Sequence, residues 1–150
     1  EIGVINYTTN KVLNILLSEK QKICTEKEIT LKIHTTDVNF DFMKDIDIIS
    51  IFSDLLNNAI EGSETSEKKL IYVNIYKMNN NFVIIKIENS CDKQPIEENG
   101  FYKTTKISQG EHGIGLKSVV NALKQYNGDL RMEYDSGEKI FSSMIMMSVN

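Results

Sequence analysis

The sequence predicts an α+β domain, and three observations carry that prediction. Two pairs of β-rich runs, 70–77 with 82–89 and 129–134 with 139–149, are each joined by a short turn-forming stretch. Stretches near 48–60 and 116–126 repeat apolar residues every three or four positions, the period of a helix with one buried face. Helices and hairpins alternate along 150 residues, a length that suits one domain with a sizeable core.

The bulk composition narrows the classes. Charged residues at 25% and apolar residues at 41% fit a globular domain. A net charge of −4 offers no electrostatic footprint for nucleic acid or anionic lipid, so neither is expected as a partner. No apolar run approaches the ~20 residues of a membrane span, and no signal peptide is visible. The chain begins at Glu1 without a methionine, and the expectation is a piece of something longer. Cys24 and Cys91 fit neither a disulfide framework nor a zinc spacing and suit a reducing compartment. His34 and His112 are far apart, and neither is read as a metal ligand or catalytic base.

Taken in order, a helix is expected from about Thr9 to Cys24, with Val12, Ile15, Leu16 and Ile23 on one side and Leu13 and Leu17 widening it. It either packs on its own domain or is the tail of a helix broken off from a preceding dimerisation element. Alternation over 29–34 predicts a strand with Ile29, Leu31 and Ile33 inward. Residues 35–42 read as a polar connection. The next helix carries Ile48, Ile51, Phe52, Leu55 and Ala59 as its apolar stripe, with Asp45 or Asp47 as N-cap and Gly62 as the stop. The first hairpin turns at Met78-Asn79-Asn80-Asn81, and its second run ends in Glu88-Asn89-Ser90-Cys91-Asp92 at the edge of the sheet. Residues 91–112 hold the only proline and many charges, and read as a lid without a clear element. A helix then follows Gly113, burying Leu116, Val119, Val120, Leu123 and Tyr126 and closing at Gly128. The last hairpin turns at Asp135-Ser136-Gly137, with Met144, Met146 and Met147 expected as core filling.

Two stretches carry chemistry. In Asp54-Leu55-Leu56-Asn57-Asn58-Ala59-Ile60-Glu61, the residues Asp54, Asn58 and Glu61 fall at i, i+4 and i+7, off the apolar stripe. In Gly110-Glu111-His112-Gly113-Ile114-Gly115-Leu116, a glycine-rich loop runs into a helix, where bare N–H groups and the helix dipole hold phosphate. Oxygen ligands on one helix and an anion cradle at the start of another point to a magnesium–nucleotide site.

The ordered set resembles the GHKL ATPases: a helix with Asp-x-x-x-Asn, a hairpin, a lid with Phe101-Tyr102-Lys103, Gly113-Ile114-Gly115-Leu116, a helix and a hairpin. Within them it is similar to the catalytic domain of sensor histidine kinases, closest to the quorum-sensing receptors for secreted peptides in Gram-positive bacteria. The resemblance covers about residues 9–149. It implies a two-layer α/β sandwich (the Bergerat fold) with a mixed, mainly antiparallel sheet and helices on one face. It implies ATP and Mg²⁺ as ligands. Asn58 matches the amide that binds Mg²⁺, a cation that takes octahedral oxygen ligation and keeps several waters. Asp54 matches a position that orients or deprotonates the attacking group. Lys103 matches the basic residue that meets the terminal phosphate when the lid closes, with Lys106 a second candidate. Gly113, Ile114, Gly115 and Leu116 match the second glycine box, whose bare backbone approaches phosphate. The plain alternatives are a solvated carboxylate at Asp54, solvated lysines at Lys103 and Lys106, and turn glycines at Gly113 and Gly115.

The first glycine box departs from the pattern. Where the wider family has Asp-x-Gly-x-Gly, this chain has Asn89-Ser90-Cys91-Asp92-Lys93. Asn89 can accept from the adenine amino group without charge, which weakens that contact by about 1 kcal/mol, roughly five- to tenfold in affinity; Asp92 is the fallback contact. Residues 1–24 resemble the tail of the dimerisation and phosphoacceptor helices, and 25–150 the catalytic domain. The accepting histidine then lies upstream of Glu1, in a membrane-bound receptor with this domain in the cytoplasm, partnered by its own upstream helices as a homodimer and by a response regulator. The alternative is a degenerate GHKL module that dimerises or docks without catalysis.

Overall fold

The computed structural model describes residues 3–98, 101–103 and 111–149, so Lys106 lies outside the described residues. Helix α1 (Lys11–Glu26) is followed by strand β1 (Thr30–Thr35), helix α2 (Asp45–Glu64) and the hairpin of β2 (Leu70–Met78) and β3 (Phe82–Ser90). A small ribbon of β4 (Ile96–Glu98) and β5 (Phe101–Lys103) precedes helix α3 (Glu111–Lys124). The hairpin of β6 (Asp129–Asp135) and β7 (Ile140–Ser148) ends the described chain. The main sheet runs β1-β2-β3-β7-β6, with β1 parallel to β2 and every other pair antiparallel. The three helices cover one face of it, which is the two-layer α+β arrangement expected. No helix among the described residues is long and apolar enough to cross a membrane.

One cluster forms the core. Leu31 of β1, Ile71, Val73 and Ile75 of β2, Val83, Ile85 and Ile87 of β3, and Ile145 and Met147 of β7 meet Leu13 and Leu17 of α1, the α2 stripe, and Leu116, Val119 and Leu123 of α3. Period-2 alternation aims each strand's apolar set at the helices. Strand β3 lies at the centre of the sheet rather than its edge, and its run Val83-Ile84-Ile85 is buried on both faces as central strands are. Only Met147 of the three methionines enters the core. Met144 and Met146 pair with Lys86 and Ile84 on the opposite face.

Local chemistry accounts for the boundaries. Asn10 caps α1 by accepting from Leu13 N–H at 2.8 Å. The buried face of α1 is rotated toward Leu13, Leu17 and Cys24, which leaves Ile15 57% exposed, not inward as expected. Asn14 holds the preceding turn: its Oδ1 accepts from Thr8 N–H at 2.8 Å and its Nδ2 donates to Thr8 O at 2.9 Å. The connection 35–42 is not simply polar, because Val38 and Phe40 are buried and Phe40 packs edge-on against Phe52 at 6.0 Å. Neither Asp45 nor Asp47 caps α2; Lys44 holds that place with no side-chain cap, and Asp47 instead accepts a short hydrogen bond from Tyr126. Asn79 and Asn80 turn the first hairpin with φ of 55° and 59°, a region asparagine tolerates. The expected lid contains an element after all, since Ile96–Glu98 pairs with Phe101–Lys103.

Candidate functional site

Asn57 and Glu64 mark the flank of α2 that meets α1, accepting from Lys20 Nζ at 3.0 Å and Lys27 Nζ at 2.9 Å. A different flank carries Asp54, Asn58 and Gly62. Four-residue spacing aligns these three in a row about 12 Å long at ~1.5 Å per residue. Asp54 and Asn58 are half-buried, and burial pushes the Asp54 carboxyl above its ordinary value.

The row ends on Asn89. Helix α2 does not stop at Gly62 but runs to Glu64, and a Cβ at Gly62 would stand 2.6 Å from Asn89 Nδ2. The glycine is therefore a point of close approach between helix and central strand, not a terminator. Asn89 is 4% exposed and its Nδ2 donates to Ser90 O at 3.0 Å. Cys91 Sγ lies 4.0 Å from the same Cβ position, and its thiol is pushed up chiefly by burial. Beneath this point sits a buried hydroxyl cluster. Ser66 Oγ donates to Ser63 O at 2.6 Å and shares a 2.7 Å hydrogen bond with Ser90 Oγ, which also accepts from Leu70 N–H at 3.0 Å. Asp92 is exposed and accepts from Glu67 N–H at 2.9 Å, a tie between two loops. Asn89, rather than Asp92, abuts the α2 row.

Helix α3 packs against α2 and β6. It begins at Glu111, so Gly113 and Gly115 lie inside its first turns rather than in a loop before it. No proline between Glu111 and Leu116 breaks the helix before its apolar stripe of Leu116, Val119 and Leu123 begins. Gly113 falls among the opening residues whose N–H groups have no intrahelical acceptor; Ile114, Gly115 and Leu116 fall past them. The Leu116 side chain is buried in the core. Lys103 closes β5 by its backbone. Tyr126, beyond α3, accepts from Lys44 N–H at 3.1 Å and so ties α3 to the start of α2.

Sequence reading found the Asp54–Asn58 spacing and Asn89 but missed Gly62 as a contact and the Ser63–Ser66–Ser90 cluster. The available signal was a glycine inside a helical pattern that continues beyond it. Among the described residues no group of three His, Cys, Asp or Glu could hold a metal ion. A cation here would be held by an amide such as Asn58 and by oxygens of a bound ligand. A single amide is a weak magnesium site alone and a reasonable one beside phosphate.

The chain is similar in fold to three solved kinases. It matches the mycobacterial sensor histidine kinase MprB with TM-score 0.72 at 16% identity, over 92% of this chain and 93% of that one. The catalytic domain of histidine kinase ThkA, in a nucleotide-free form, matches with TM-score 0.66 at 15% identity over 98% of both chains. The Acinetobacter baumannii histidine kinase AdeS matches with TM-score 0.68 at 16% identity, over 100% of this chain and 69% of that one. At such identities the likeness speaks for the fold. None of the curated protein sequences compared matches significantly. The family model described as the GHKL domain matches residues 43–147, from the turn before α2 to the end of β7. The chain belongs to the GHKL domain family.

Proposed function

We propose that this chain is the ATP-binding catalytic domain of a two-component sensor histidine kinase, holding Mg-ATP for transfer of its γ-phosphate to a histidine on a helix outside the chain. The observation that carries the reading is the row Asp54–Asn58–Gly62, half-buried along one flank of α2 and ending on Asn89. Asn89 takes the adenine end, Asn58 offers its amide oxygen to Mg²⁺, and Asp54 orients or deprotonates the attacking imidazole. The start of α3 at Gly113 supplies the phosphate end, its open N–H and the helix dipole worth ~0.3–1 kcal/mol for a negative charge, with Ile114, Gly115 and Leu116 continuing the helix behind it. Lys103 and Lys106 meet the terminal phosphate. Bound Mg²⁺ neutralises triphosphate charge, the main electrostatic need of phosphoryl transfer.

The same proposal places residues 1–24 as the tail of the dimerisation and phosphoacceptor region and 25–150 as the catalytic domain. It places the whole in a homodimeric, membrane-bound peptide receptor of the quorum-sensing kind, with this domain in the cytoplasm and a response regulator as acceptor. A second reading, a GHKL module that dimerises or docks without catalysis, is favoured by Asn89 in place of a carboxylate and by the missing glycines after it. Calorimetry separates the two. Wild type should give heat with millimolar ATP in Mg²⁺ and little without the cation. Asn58→Ala should weaken Mg-ATP by at least about tenfold, as the loss of metal-site partners does. Absence of heat from the folded wild type would end the kinase reading.

A further inference from the structure

Asparagine is an ambivalent partner for a purine. A free amide can turn either its N–H₂ or its oxygen toward the base, and so accepts a 6-amino or a 6-oxo edge equally. Asn89 does not have that freedom. One N–H of its Nδ2 donates to Ser90 O at 3.0 Å, and since a carbonyl can only accept, that bond fixes which way round the amide sits. That carbonyl is itself held, because Ser90 Oγ is tied to Ser66 Oγ at 2.7 Å and to Leu70 N–H at 3.0 Å. Gly62 completes the restraint. It sits in the last turn of α2, still within the helix, and its backbone is not in the left-handed region that would call for a glycine. The space at its Cβ position is instead filled by Asn89 Nδ2 at 2.6 Å. Asn89 is only 4% exposed, so a Cβ at Gly62 would push a buried amide off its bond to Ser90 O.

Resting on the nucleotide reading above, we infer that Gly62 and the Ser90 carbonyl lock the Asn89 amide with its oxygen as the edge offered to a base, making Gly62 a specificity-determining residue for purines that carry a 6-amino group. A 6-oxo purine would set oxygen against oxygen. The lock gives a neutral side chain the acceptor edge that a carboxylate would present.

The test compares Mg-ATP with Mg-ITP, which differ at the 6-position, by calorimetry on wild type, Gly62→Ala and Asn89→Asp. Wild type should prefer ATP by roughly tenfold or more. Gly62→Ala displaces the amide and should lower ATP affinity by roughly three- to tenfold while leaving ITP unchanged, so the ratio falls toward one. A merely structural role would lower the melting temperature and leave the ratio alone. Asn89→Asp guards against a Gly62→Ala variant that does not fold. Its carboxylate cannot donate to Ser90 O, so despite its charge it should bind ATP no more tightly and should melt lower. Equal ATP and ITP affinities in wild type, an unchanged ratio in folded Gly62→Ala, or tighter ATP binding by Asn89→Asp would overturn the lock and leave the Mg-ATP site standing. A wild type that binds neither nucleotide removes both.

Discussion

Burial raises the carboxyl of Asp54, so the folded chain holds that proton more tightly than the unfolded one. The sign follows from linkage. The native state binds more protons between the ordinary carboxylate value and the raised one, so stability falls as pH rises through that window. Below it the side chain is neutral in both states and the penalty vanishes. Replacing Asp54 with asparagine removes an ionisation that folding opposes. Asp54→Asn should therefore melt slightly higher at neutral pH, by about a degree or two, with the gain lost at low pH. Melting curves at pH 7 and pH 3.5 check this, and an equal shift at both would show that charge is not the cause. Such a gain would mark Asp54 as a residue retained for function at some cost to stability. Cys91 supplies a second probe of the same flank. Its thiol is raised mainly by burial, with a backbone hydrogen bond at Lys93 opposing and Asp92 reinforcing, so it is largely protonated at neutral pH and alkylates slowly. If adenine lies beside Gly62 and Asn89, saturating Mg-ATP should slow that alkylation several-fold. Equal rates with and without nucleotide would move the base elsewhere.

At the scale of elements, the segments legible in the sequence were those with a period. The two hairpins and the three helices announce themselves by apolar residues every two or every three to four positions, and the structure keeps their order. Single anchors have no period. Val38 and Phe40 lie in a stretch whose average is polar, yet Phe40 is fully buried and packs on Phe52 and Phe42. Ile15 errs the other way, because a wide apolar face on α1 does not reveal which edge meets α2. The contrast is measurable by urea unfolding. Phe40→Ala should cost about 3–5 kcal/mol, the range for emptying a core aromatic site. Ile15→Ala should stay within about 0.5 kcal/mol, as exposed substitutions do. Similar values for the two would mean that α1 docks on the sheet in a different rotation. In the candidate site, Asp54 and Asn58 were legible because spacing within one helix aligns them, and Asn89 because its stretch stands where the family has its first glycine box. Gly62 was not, since its meaning depends on a strand that approaches from elsewhere in the chain.

At the scale of the molecule, the candidate site is built where the elements meet. Its row lies on α2 and ends on the central strand β3, the proposed base end, and the proposed phosphate end is α3, which Tyr126 ties back to the start of α2 through Lys44 and Asp47. On its other flank α2 is gripped by α1 through Lys20 and Lys27. Among the described residues neither histidine lies on the α2 row: His34 is on β1 and His112 in the first turn of α3. On the kinase reading, then, the chain alone should bind Mg-ATP but not label itself. Joining it to upstream helices that carry a histidine should restore autophosphorylation with γ-labelled ATP. Because Asp54 is proposed to orient or deprotonate the attacking imidazole, Asp54→Asn in the joined protein should slow labelling by about 10²–10⁴-fold, the range for a lost general base. Its calorimetric affinity for Mg-ATP should change far less, since the loss falls on the transition state rather than on the bound nucleotide. Unchanged labelling in Asp54→Asn would reduce Asp54 to a half-buried helix carboxylate. Labelling of the isolated chain on His112 or His34 would place the acceptor inside this domain and overturn the division between a nucleotide-holding unit and a separate receiving helix.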